Sequence, residues 1–105
     1  MQTTNDKRTQ SSAIRALRVL DALKGHTITG LSNQQICQAT GYISSGVSLA
    51  LNTLQAEGYV TQLENGRWAH SIKYLQAAQA HTEHVTRMRD RINDINARIA
   101  AGVLS

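Results

Sequence analysis

A chain of 105 residues supports one small domain with room for a single further element, and its core is correspondingly modest. Its net charge of +4 and pI near 9.7 point to an acidic partner without naming it. One cysteine excludes an internal disulfide and a thiolate zinc site of its own, no apolar run is long enough to span a bilayer, and the polar start MQTTNDKRTQ lacks the apolar stretch of a secretory signal, so the expected location is cytoplasmic.

The charge is spread unevenly. Residues 1–24 carry Lys7, Arg8, Arg15, Arg18 and Lys24 against Asp6 and Asp21, a local excess of +3. Residues 25–66 carry no Lys or Arg and two acids, Glu57 and Glu64, while residues 67–105 return to +3.

In chain order, residues 1–10 lack hydrophobic periodicity and read as a flexible basic arm. Ser11 or Ser12 is the expected cap of a first helix, with Ala13, Ala16, Leu17, Leu20 and Leu23 as its core stripe. Arg15 and Arg18, three apart, fall on its outer face, and Gly25 ends it. Ser32-Asn33-Gln34-Gln35 is a capping-box pattern opening a short helix with Ile36, Cys37 and Ala39 inward, and Gly41 makes the turn after it. Ser44 or Ser45 then caps a third helix at 44–57, whose predicted buried face is Val47, Ala50, Leu51 and Leu54. Gly58 closes that helix. Tyr59–Leu63, Glu64-Asn65-Gly66 and Arg67–His70 read as strand, turn and strand, Asn-Gly being a strong hairpin signal. Trp68 and Tyr59 are assigned to hairpin packing. From Ile72 to Ala101 the pattern is helical, and no proline interrupts it.

These elements give a fold class that is mainly α with a small β-hairpin: a winged helix-turn-helix domain at 11–71 followed by a long C-terminal helix in 72–105. Two helices joined by a tight glycine turn let the second enter the major groove of DNA while the first crosses the backbone. The outward face of that second helix is Ser45, Ser48, Leu49 and Asn52, with Ser44 at its start. Asn52 can pair with adenine, the serines with either partner, and Leu49 can meet a thymine methyl, which together favour A·T-rich sites. The plainer roles are a helix cap for Ser44 and ordinary surface positions for Leu49 and Asn52. Phosphate anchoring falls to Arg15 and Arg18, Arg67 at the wing, Lys73 beyond it, and Lys7 and Arg8 on the arm, each of which is otherwise a solvated charge.

The blocks SSAIRALRVLDAL, LSNQQICQATG, VSLALNTLQAEGYV and ENGRWAHSIKYL, over about residues 11–75, together resemble the winged helix-turn-helix of IclR-type transcriptional regulators. The resemblance implies a sequence-specific regulator that binds double-stranded DNA. Such regulators tend to have a Lys near the position of Ser44 and an Arg near that of Leu49, and this sequence departs at both. They continue into a large effector-sensing domain for which these residues leave no room, so no small-molecule effector is expected. A stand-alone regulator of this size would suit a phage or mobile element.

Val85, Met88, Ile92, Ile95 and Ile99 follow the 3-4-3-4 spacing of a coiled-coil seam, the expected homodimer contact. With Val85 at position a, the flanks hold His84, Arg89, Arg91, Asn96 and Arg98 and no acid. An antiparallel pair, packing on the winged domain, or an acidic partner helix suits such flanks better than a parallel pair. Glu83–Arg87 and Asp94–Arg98 are candidate intrahelical pairs. No catalytic constellation, cofactor motif or metal-ligand cluster is visible: His81 and His84 stand without further ligands, Cys37 reads as core, and the glycines form no phosphate loop. The leading reading is therefore a dimeric DNA-binding regulator with helix 44–57 in the major groove and wing 64–67 on the backbone. The alternative is a protein-interaction module, inhibitor or adaptor, that meets a protein partner through the Leu49 face or the C-terminal helix.

Overall fold

The computed structural model describes residues 10–102, so the predicted basic arm, with Lys7 and Arg8, lies outside the described residues except for Gln10. The elements are α1 (Ser11–Ala22), α2 (Asn33–Thr40), α3 (Ser44–Ala56), β1 (Val60–Gln62), β2 (Trp68–His70) and α4 (Ile72–Ala100). This is the predicted class: three helices, an antiparallel hairpin and a long final helix. The chain divides into two units between Tyr74 and Leu75.

The first unit is organised by one apolar cluster: Val19, Leu20 and Leu23 of α1, Leu31, Ile36 of α2, Val47, Ala50, Leu51 and Leu54 of α3, and Val60. All four predicted core positions of α3 are buried. On α1 the covered stripe is Ala16, Val19, Leu20 and Leu23, whereas Ala13 and Leu17 are exposed. A periodic pattern shows that Leu20 faces inward but not on which side of it the neighbouring helix lies; the neighbour lies on the Val19 side. Ala39 of α2 is likewise exposed rather than inward.

The caps divide in the same way. The Ser32–Gln35 box forms reciprocally, Ser32 N–H donating to Gln35 Oε1 at 2.8 Å and Gln35 N–H to Ser32 Oγ at 3.1 Å. Gly41, with φ +82°, makes the turn into α3. The serine caps expected for α1 and α3 do not form: Gln10 and Ile43 are the N-cap residues, with no side-chain cap bond. Ser44 instead serves the helix-turn-helix junction, its hydroxyl donating to Asn33 Oδ1 at 3.0 Å. Asn33 Nδ2 donates to Ser48 Oγ at 2.9 Å and to the Ser44 carbonyl at 3.4 Å, and the Cys37 thiol donates to Asn33 Oδ1 at 3.3 Å. One amide thus ties the first residue of α2 to the first two turns of α3.

Helix α3 ends in a Schellman arrangement, Gly58 N–H on Gln55 O at 3.0 Å and Tyr59 N–H on Leu54 O at 2.8 Å, which starts β1. The hairpin pairs Val60 with His70, Thr61 with Ala69 and Gln62 with Trp68. Its turn closes through Gly66 N–H on Leu63 O, and Gly66 alone, not Asn65, takes a positive φ. Asn65 instead uses its side chain, accepting from Arg67 N–H at 2.9 Å and donating to Thr29 O at 3.3 Å.

Two anchors absent from the sequence reading attach the hairpin to the helices. Leu31 exchanges both backbone bonds with Trp68, at 2.9 and 2.8 Å, as an isolated antiparallel bridge beside the two-stranded sheet. The buried His70 donates from Nε2 to the Leu20 carbonyl at 2.7 Å, and its ring lies 4.8 Å from that of Tyr74. Trp68 and Tyr74 pack on the core, while Tyr59 is half-exposed and meets Tyr74 edge-on. Ser71 caps α4, accepting from Tyr74 N–H at 3.1 Å and donating to Gly58 O at 2.6 Å.

Helix α4 buries none of its residues. The predicted Asp94–Arg98 pair forms at 3.3 Å, and the Glu83–Arg87 pair does not. No helix among the described residues is long and apolar enough to cross a membrane.

Gly30 is where loop and wing meet most closely. Its φ is +72°, and a methyl group there would lie 2.9 Å from both Arg67 Cβ and the Trp68 carbonyl. Left-handed strain costs about 1–2 kcal/mol, and the backbone contact adds to it, so Gly30→Ala should lower unfolding free energy by about 2–3 kcal/mol in a urea titration. A loss below about 0.5 kcal/mol, within the range of an ordinary surface substitution, would show that Leu31 and Trp68 do not need this approach.

Candidate nucleic-acid interface

Burial of Val47, Ala50, Leu51 and Leu54 leaves the opposite face of α3 to solvent: Ser44, Ser45, Ser48, Leu49 and Asn52 are all exposed, Leu49 at 57%. Ser45 and Asn52 make no side-chain hydrogen bond among the described residues, whereas Ser44 and Ser48 are held by Asn33. The face combines amide and hydroxyl groups with one apolar side chain, a set that can hydrogen-bond to base edges and meet a methyl group. It carries no charge of its own.

The cations expected around it are placed differently from one another. Arg15 and Arg18 do not share an outer face. Arg18 is exposed, whereas Arg15 is half-buried and lies across α3, where a methyl group on Gly46 would sit 3.4 Å from Arg15 Cδ and 3.5 Å from Nη1. Arg15 Nε is closed off from solvent and has no hydrogen-bond partner. Arg67 is exposed at the wing, and its guanidinium makes no ion pair among the described residues. Lys73 runs over Gly58, its Nζ 3.5 Å from where a methyl group there would stand. That is the C-terminal end of α3, about 20 Å from Ser44 at 1.5 Å per residue, where the carbonyl end of the helix dipole favours a cation. Lys24 is occupied: its bond to Asp21 at 2.6 Å, and that carboxylate's charge, raise its pKa above the ordinary lysine value. Arg8 lies outside the described residues.

The structure therefore gathers Ser44, Ser45, Ser48, Leu49 and Arg15 around the first half of α3, with Asn52 one turn further on. Lys73 stands at the far end of the helix, Arg67 on the wing and Arg18 on α1. The sequence reading missed Asn33 and Gly46. Asn33 had a signal, because the capping box fixes it at the first helical position of α2, beside the turn into α3. Gly46 had one too, since glycine inside a helical pattern is costly and calls for a packing reason.

On α4, Val85, Met88, Ile92, Ile95 and Ile99 form an exposed seam, between 36% and 60% accessible. Pairs with acids are scarce beside it: among the described residues only Arg98 of its basic flank is matched, by Asp94.

The sequence matches the IclR helix-turn-helix domain over residues 12–64. Among solved structures the chain is similar to an IclR family transcriptional regulator from Brucella abortus, with 27% identity and a TM-score of 0.65 over 77% of this chain and 31% of that one. It is also similar to a ZitR variant from Lactococcus lactis, with 15% identity and a TM-score of 0.44 over 93% of this chain and 67% of that one. No curated protein matches it in sequence. The chain spans about a third of the length of the Brucella regulator. Its glycine turn, its α3 face and the first strand of its hairpin thus sit within a recognised unit: the chain belongs to the IclR helix-turn-helix domain family, whose members are DNA-binding domains of transcription regulators.

Proposed function

We propose that this chain binds specific double-stranded DNA sites as a dimeric transcriptional regulator, with α3 in the major groove, the wing at 64–67 on the backbone, and α4 pairing two copies. The observation that carries the reading is the outer face of α3. Its buried side is fixed by four core residues, its start is fixed by Asn33, and Ser45 and Asn52 have no side-chain partner among the described residues. Hydrogen-bonding side chains presented outward from a helix whose orientation is fixed are what base reading requires. Arg67 and Arg18, exposed and without an ion pair among the described residues, supply sequence-independent attraction to phosphate. Lys73, at the C-terminal end of α3, contributes there rather than beside Ser44.

A second reading, a protein-interaction module, is favoured by one observation: the α4 seam is flanked by His84, Arg89, Arg91 and Arg98 without an acid, which suits an acidic partner helix. Selection of bound fragments from a random duplex library at moderate salt separates the two. A two-fold-symmetric site is the result expected of a dimeric regulator; recovery of nothing favours the protein partner.

Residue by residue, Arg67→Ala should weaken binding to all duplexes alike and reduce the salt slope by roughly one. Asn52→Ala should instead relax preference at one base position, by about 1–3 kcal/mol. A uniform loss from Asn52→Ala would remove it from the reading residues.

For assembly, burying Ile92 and Ile95 should contribute about 1.5–3 kcal/mol each. Two linked heads bind more tightly than one by the effective concentration of the second. Ile92→Asp combined with Ile95→Asp should leave a folded monomer with much weaker DNA affinity, read by light scattering and titration of one sample. Persistence of the dimer would move the interface elsewhere.

A further inference from the structure

The half-buried Arg15 is costly as it stands. A guanidinium taken partly out of water is normally matched by a carboxylate or by carbonyl oxygens, because an uncompensated charge loses solvation without return. Among the described residues the ion pairs are Lys24–Asp21 and Arg98–Asp94, and no acceptor meets Arg15. The cleft around it, lined by Ser12, Ala13, Ala16, Leu49, Ala50 and Thr53, is mostly apolar and offers no carboxylate.

Gly46 supplies the second half of the observation. Glycine weakens a helix interior relative to alanine, and here it is not required by the backbone, since its φ is not positive. It shows where the Arg15 side chain lies: a methyl group on Gly46 would stand 3.4, 3.5 and 3.7 Å from Arg15 Cδ, Nη1 and Nε, at ordinary contact distance, so the guanidinium rests against the first turn of α3. No Lys or Arg occurs between residues 25 and 66, so α2, α3 and the tip of the wing bring no cation to that turn themselves.

We infer that Arg15 is an anion-binding residue, and that its ligand is a backbone phosphate of the DNA whose groove α3 enters. This rests on the DNA-binding reading of α3 and assigns that helix its phosphate contact. The planar fork of a guanidinium suits two phosphate oxygens at once, and its weaker hydration makes partial burial tolerable, neither of which a lysine offers.

The test uses a fluorescein-labelled mixed-sequence duplex titrated at several salt concentrations between about 50 and 200 mM, where phosphate contacts dominate the salt dependence. Arg15→Met should bind about ten-fold more weakly, the value of one charge-assisted hydrogen-bond contact, with a salt slope smaller by roughly one. Its thermal midpoint should stay level or rise, because no internal partner is lost. Arg15→Lys should keep the slope and lose affinity. Gly46→Ala, whose methyl group would meet Arg15 only at ordinary contact distance, should raise the thermal midpoint and leave the salt slope unchanged. Wild-type affinity and slope in Arg15→Met would overturn the inference and leave the DNA reading standing, as would a lowered midpoint with an unchanged slope. A wild-type protein that binds no duplex would overturn both.

Discussion

Helix α3 can present a surface only because α1 holds its other side. The α1–α3 packing of Val19, Leu20 and Leu23 with Val47, Ala50, Leu51 and Leu54 is the most extensive contact between elements in the chain. At 3.6 residues per turn, burying 47, 50, 51 and 54 necessarily turns 45, 48, 49 and 52 outward. The orientation of the exposed face thus follows from the core, and a change on α1 that rotates α3 would re-aim every side chain on it together. Helix α2 contributes one fully buried residue, Ile36, and its polar connection through Asn33 does the rest of its work.

The wing depends on the same core at one remove. A two-stranded hairpin of three-residue strands is marginal by itself. Here it is fastened at three points: Leu31 to Trp68 through the backbone, His70 to the end of α1, and Ser71 to Gly58 at the end of α3. His70 is the informative case. A polar ring is buried because the last turn of α1 leaves a carbonyl, Leu20 O, within reach of its Nε2. Since a carbonyl can only accept, that nitrogen carries the hydrogen, which fixes the tautomer.

What the sequence revealed was local. The Ser32–Gln35 box, the buried face of α3, the turn at Gly41 and the hairpin each depend on residues within a few positions of one another, and each formed. What it concealed depends on distant partners. Leu17 and Val19 are equally apolar, and only the position of α3 selects Val19. Arg15 and Arg18 look like neighbours on one face until the fold lays the first of them beside Gly46, thirty-one positions away from Arg15. Lys73 follows the wing in sequence but stands at the end of α3 because Ser71 returns the chain to Gly58. The same holds for Ser44: as a serine before a helical pattern it reads as a cap, yet the better partner is the amide of Asn33, eleven residues earlier.

That amide has a consequence for the hydroxyls it holds. Its oxygen receives protons from Ser44 and Cys37, and its nitrogen gives protons to Ser48 Oγ and Ser44 O; the hydroxyls could serve either end of the amide, but the Ser44 carbonyl can only accept and so requires the nitrogen on its side. The amide is therefore polarised in one sense only. Ser44, having committed its proton, faces outward as an acceptor. Ser48, having committed a lone pair, keeps a proton to give. Two chemically identical side chains one turn apart on α3 thus differ in what they have left to offer: Ser44 can only accept, whereas Ser48 can still donate.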